Sequence, residues 1–119
     1  RFFAFELRGR GESSAFLDMG DQFLALSQSS EDHKDGHRHF GLVVDDRAKL
    51  RRALEEHDVE ILPGRGLDFL DPWGNRVQIV EYEGIQFTKT PQILEAMGLG
   101  DLEKSDDALK QLRDKGVDV

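Results

Sequence analysis

The sequence predicts an α+β fold ordered strand, helix, strand, strand, turn, strand, and three stretches carry that prediction. In HRHFGLVV, Phe40, Leu42 and Val44 alternate with His39, Gly41 and Val43, the period of two that gives a strand two unlike faces. From Asp46 the period lengthens. Leu50 and Leu54 stand four apart with Ala53 beside them, and arginine and glutamate fill the remaining positions. An amphipathic helix is therefore expected to about position 57, capped by Asp45 or Asp46. In FLDPWGNRVQIVEY, Pro72 presets φ, Asp71 can accept backbone hydrogen bonds and Gly74 permits a positive φ, which together make a hairpin corner.

The other elements follow from turn chemistry and alternation. Positions 14–19 and 22–27 are short apolar runs separated by Gly20-Asp21, a hairpin pattern. The polar stretch SSEDHKDG leads from it to the strand opening at His39. Positions 59–62 read as a strand, Pro63-Gly64 as a break and 66–70 as a further strand. On the closing strand, Val77 and Ile79 share one side and suit packing against the helix, while Arg76, Gln78, Val80 and Tyr82 share the other, which reads as a lined cleft. Trp73 either covers the turn or faces a ligand. Beyond Tyr82, Thr90-Pro91 offers an N-cap and a first-turn proline for a short helix over QILEAM that stops at Gly98. A second helix is expected over 101–115, with Leu102, Leu109 and Leu112 on its apolar side and Gly116 closing it.

Composition narrows the function classes. A chain of 119 residues, 38% of them hydrophobic, can bury one modest core, so one compact domain is expected. No apolar run reaches the roughly 20 residues that span a bilayer, and RFFAFELRGRGES lacks the cleavage pattern of a signal peptide. The chain has no cysteine, which excludes disulfides, thiol catalysis and cysteine-ligated metals and suits a reducing, cytoplasmic location. A net charge of -8 repels nucleic-acid phosphates and anionic lipid, so neither nucleic acid nor membrane is an expected partner. A small molecule or another protein is.

A weak internal repeat is also present. Phe16-Leu17-Asp18, then Gly20-Asp21 and an apolar strand, recurs as Phe69-Leu70-Asp71, then Gly74-Asn75 and an apolar strand, an offset of 53 residues from position 16 to 69. Carried back from His39, that offset falls before Arg1. The first unit is therefore expected to lack its opening strand and helix, with positions 5–8 as its second strand.

HRHFGLVVDD, the helix after it and GLDFLDPWGNRVQIVEY resemble the second βαβββ module of the vicinal oxygen chelate superfamily, the glyoxalase, bleomycin-resistance protein and extradiol dioxygenase group. The resemblance runs from Ser13 to about Tyr82. It implies βαβββ modules forming a curved mixed sheet, a glyoxalase-like cup, over 1–83, with an incomplete first module at 1–30, a second at 37–83 and a C-terminal helical extension at 84–119. In that family a divalent metal held by the first and last strands of each module chelates vicinal oxygens of the substrate, stabilising an enolate or activating dioxygen. By the resemblance, His39 matches the opening-strand ligand and Gln78 stands where the enzymes commonly carry glutamate. The matching residue of the first module is Ala25, or Leu24 in a register shifted by one, and neither can ligate. The metal set His39 and Gln78 is thus incomplete, and the expected cofactor is none or a weakly held divalent ion.

Two functional classes follow, with a third behind them. The first is a binder of the bleomycin-resistance kind, holding a small organic molecule in a cleft walled by His39, Gln78, Tyr82, Arg76 and Phe23. The second is a metal-dependent lyase, isomerase or dioxygenase; the third is a non-catalytic interaction module using the tail. One fold hosts all three. Because family members usually complete or flank their cups across a subunit interface, a homodimer is expected. His33 and His37 sit in a polar connection, His57 ends a helix where a cation suits the dipole, and no phosphate-binding glycine loop or nucleophile elbow is present.

Overall fold

A computed structural model describes residues 1–20, 22–29 and 38–119. The expected connection carrying His33 and His37, and Asp21 of the first hairpin, lie outside the described residues. The chain divides into two compact units, Arg1–His33 and Lys34–Val119, where length and composition pointed to one.

The first unit is an antiparallel meander of β1 (Glu6–Arg10), β2 (Ser14–Asp18) and β3 (Phe23–Ser27), in that spatial order. The β2–β3 register runs from Ser14 opposite Ser27 to Asp18 opposite Phe23. The connection reverses with the Met19 amide donating to the Gln22 carbonyl at 2.8 Å, and Asp18 Oδ1 accepts from the Gly20 amide at 3.0 Å. Gly20 takes φ +89°, a conformation that costs a residue with a Cβ about 1–2 kcal/mol. Between Leu7 and Gly9 the β1–β2 register shifts through a bulge.

The second unit opens with β4 (His39–Val44), crosses through α1 (Arg47–Glu56), and returns through β5 (Ile61–Leu62), β6 (Leu67–Leu70) and β7 (Arg76–Glu81). Its sheet has the order β4-β7-β6-β5, with β4 parallel to β7 and the other pairs antiparallel. The helix starts where the sequence places a cap: Asp46 Oδ1 accepts from the Lys49 amide at 2.8 Å, and Glu81 Oε1 accepts from the Arg47 amide at 3.0 Å, tying the helix start to the end of β7. Leu50 and Leu54 are buried, Leu54 completely, in a core shared with Leu42, Leu67, Phe69, Val77 and Ile79. The two periodicities meet there, with the i, i+4 row of α1 over the alternate residues of three strands.

The DPWGN corner is a backbone device. Asp71 Oδ1 accepts from the Trp73 and Asn75 amides at 2.9 and 2.8 Å, and Oδ2 accepts from Asn75 Nδ2 at 2.7 Å. Gly74 takes φ +86° and Trp73 is 75% exposed.

After β7 the structure departs from the alternation. Tyr82 does not continue the strand but begins a 3-10 turn, Tyr82–Gly84, and is buried. α2 (Pro91–Ala96) is capped by Thr90 as expected, and α3 (Asp106–Asp114) is capped by Ser105, whose Oγ accepts from the Ala108 amide at 3.3 Å. The second tail helix is thus shorter than the reading over 101–115, because Ser105 is an N-cap and the residues before it are committed elsewhere. Lys104 Nζ donates to the carbonyls of Tyr82, Ile85 and Phe87 at 2.6, 2.9 and 2.6 Å and lies 3.6 Å from the Tyr82 ring centre. An ammonium has three donors, and three carbonyls receive them. Burial pulls the Lys104 pKa below its ordinary value. Ser105 N donates to the Glu83 carbonyl at 3.0 Å, so the tail is fastened to the turn at adjacent residues. Among the described residues no helix is long and apolar enough to cross a membrane.

Candidate functional site

Register decides which side chains share the sheet face opposite α1. In the parallel pair, His39 lies beside Arg76, Gly41 beside Gln78 and Val43 beside Val80; in the antiparallel pair, Asp68 lies beside Gln78 and Leu70 beside Arg76. Paired residues point to the same side, and the residues between them (Leu42, Val77, Ile79, Leu67, Phe69) form the core under α1. The opposite face therefore reads His39, Gly41 and Val43 on β4, Arg76, Gln78 and Val80 on β7, and Asp68 and Leu70 on β6. Neighbouring rows are about 4.8 Å apart, so three strands span about 10 Å, the width of one small organic molecule.

The centre of this face is an ion pair absent from the sequence reading. Asp68 is 8% exposed, and its Oδ2 receives Arg76 Nε at 2.8 Å and Nη2 at 2.5 Å. The two residues are diagonal neighbours across β6 and β7, where long side chains reach one another. A lone buried carboxylate is costly, and the guanidinium supplies both the opposite charge and two donors. The signal in the sequence is an aspartate flanked by Leu67 and Phe69 inside a strand, but only the β6–β7 register brings Arg76 to it.

The sequence-derived residues divide. His39, Arg76 and Gln78 share one face; His39 is exposed, and Arg76 and Gln78 are half-buried. Gly41 leaves no side chain opposite Gln78 on β4. Tyr82 is withdrawn: its hydroxyl is 3.0 Å from Thr88 Oγ1 and its ring carries Lys104. Phe23 is 70% exposed on β3 of the first unit, and Ala25 pairs with Phe16 there. His57 Nδ1 lies 2.8 Å from the Ala53 carbonyl one turn back, as a helix-end residue.

Among the described residues, no three histidine, aspartate or glutamate side chains gather as a ligand set. The face offers an imidazole, a neutral amide and a carboxylate already engaged by Arg76. That donor set does not fit a divalent transition metal, which takes three or four imidazole, thiolate or free carboxylate ligands.

The fold is glyoxalase-like. It is similar to a glyoxalase/bleomycin resistance protein/dioxygenase from Alicyclobacillus acidocaldarius, at 16% identity over 67% of this chain and 74% of that one, with a TM-score of 0.53. Lactoylglutathione lyase from Agrobacterium tumefaciens matches at 21% identity over 68% and 78%, TM-score 0.54. A genomically encoded fosfomycin resistance protein from Listeria monocytogenes matches at 13% identity over 67% and 74%, TM-score 0.56. No protein-family model and no curated protein matches the sequence. At these identities the likeness establishes the fold; the particular activity is a separate question.

Proposed function

We propose that the chain binds a small organic molecule on the face of the second sheet opposite α1, by shape and hydrogen bonds rather than through a chelated metal. One observation carries the reading: the side away from α1 holds a buried aspartate with its arginine, beside an amide and an imidazole, where a sheet serving only as a scaffold would carry solvated side chains. Solved neighbours are named for lactoylglutathione lyase and fosfomycin resistance, and both names refer to small organic molecules. Metal analysis of protein purified without chelator tests the proposal. We expect divalent ion well below one per chain, with small-molecule fragments shifting the amide resonances of Gly41, Gln78 and Val80. A stoichiometric ion lost in His39→Ala would instead establish the metal-dependent lyase, isomerase or dioxygenase reading.

Two finer points belong to the same proposal. A homodimer accords with the exposed Phe40, Val43 and Phe87, and sedimentation at micromolar concentration giving only the monomer mass of 13.5 kDa would contradict it. A cytoplasmic location accords with the absence of cysteine, and recovery in a secreted fraction would contradict that.

A further inference from the structure

We infer that Arg76 is the recognition group of this face and that the molecule it selects carries a carboxylate or phosphonate. The inference rests on the small-molecule reading above and specifies its ligand class.

A guanidinium has five N–H donors arranged around a plane. Arg76 spends two of them, Nε–H and one Nη2–H, on the same oxygen of Asp68, so the side edge of the plane is occupied. The end edge, the remaining Nη2–H and the Nη1–H beside it, has no partner among the described residues, and the arginine side chain is 33% exposed. Two parallel N–H groups at that spacing match the two oxygens of a carboxylate or two of a phosphonate. Asp68, with a side chain only 10% exposed, is held between Leu67 and Phe69 of the core strand. It is a positioning residue. It fixes the orientation of the guanidinium plane before a ligand arrives, which lowers the ordering cost of binding. Val80 and Leu70, half-buried on the same face, offer apolar contact to the rest of an organic acid.

The chain as a whole carries a net charge of -8, which opposes anions at long range. At about 0.15 M salt the screening length is about 8 Å, so distant carboxylates contribute little and the short contacts at Arg76 decide the outcome. The Asp68 charge acts locally against an anion, so the directed fork, more than net charge, must supply the selectivity.

The test uses the unaltered chain with matched probes: benzoate against benzamide, and phenylphosphonate against its neutral dimethyl ester. Binding is read from amide shifts along β4 and β7. The acids are expected to bind at least 10-fold more tightly than their neutral counterparts, with the largest shifts at Arg76 and Gln78. In Arg76→Lys, which keeps the charge and loses the fork, that preference should fall below about 3-fold. Equal binding of acids and neutral counterparts at this face would overturn the inference while leaving small-molecule binding intact. Absence of shifts along β4 and β7 with every probe would overturn both. An undiminished acid preference in Arg76→Lys would overturn the fork.

Discussion

The two hairpins of this chain, β2–β3 and β6–β7, use the same turn logic and reach different burial. In each, an aspartate at the end of the first strand or directly after it accepts the amide two residues on, Asp18 for Gly20 and Asp71 for Trp73, and a glycine with positive φ follows, at +89° and +86°. The strands keep the repeat offset: β2 opens at Ser14 and β6 at Leu67, β3 at Phe23 and β7 at Arg76. Yet β6 has three consecutive buried residues, whereas no described residue of the first unit is buried. Local sequence makes a hairpin, and a helix laid on it makes a core. The second unit has α1 and a parallel strand; the described first unit has neither.

The sharpest way to break this contrast is to hollow the second core. Leu54 is fully buried, so Leu54→Ala should cost about 3–4 kcal/mol in urea unfolding, whereas Phe16→Ala on β2, 42% exposed at the start, should cost under about 1 kcal/mol. Comparable losses would show that the first unit has a core of its own. Hydrogen exchange offers a second comparison between the central strands. Amides of β7 should exchange about 100-fold more slowly than those of β2, a difference of about 2.7 kcal/mol in opening free energy, and equal protection would dissolve the distinction.

The tail tests whether burial in the second unit extends beyond the repeat. Lys104→Met keeps much of the side-chain volume and removes three hydrogen bonds, for an expected loss of about 2 kcal/mol and faster exchange at Ser105 and Ala108. No change in either would mean that the helices hold without the clamp. The smallest effect is expected at Trp73, exposed at the hairpin tip: Trp73→Ser should shift stability by less than about 0.5 kcal/mol, since the corner rests on Asp71 and Gly74.

Much of the fold was legible because its signals are local. Alternation in FGLVV, the four-residue spacing of Leu50 and Leu54, the Asp46 cap and the DPWGN corner each concern residues within one turn or strand, where sterics and hydrogen bonding act without reference to the rest of the chain. The common side of His39, Arg76 and Gln78 was also legible, since alternation and the turn set which side each occupies. Tyr82 was misplaced because continued alternation cannot register a distant competitor. The tail, through Lys104 and the Ser105 amide, draws the chain out of the strand into a 3-10 turn.

Sequence alone therefore determined the element types, the caps, the corner and the two faces of the closing strand. Tertiary structure decided the rest: the Asp68–Arg76 pair, the withdrawal of Tyr82, and which hairpin lies under a helix. The physical reason is range. Propensity and periodicity act over a few residues, whereas a charge buried on β6 is tolerated only because β7, brought alongside by the hairpin register, places a guanidinium 2.8 Å away.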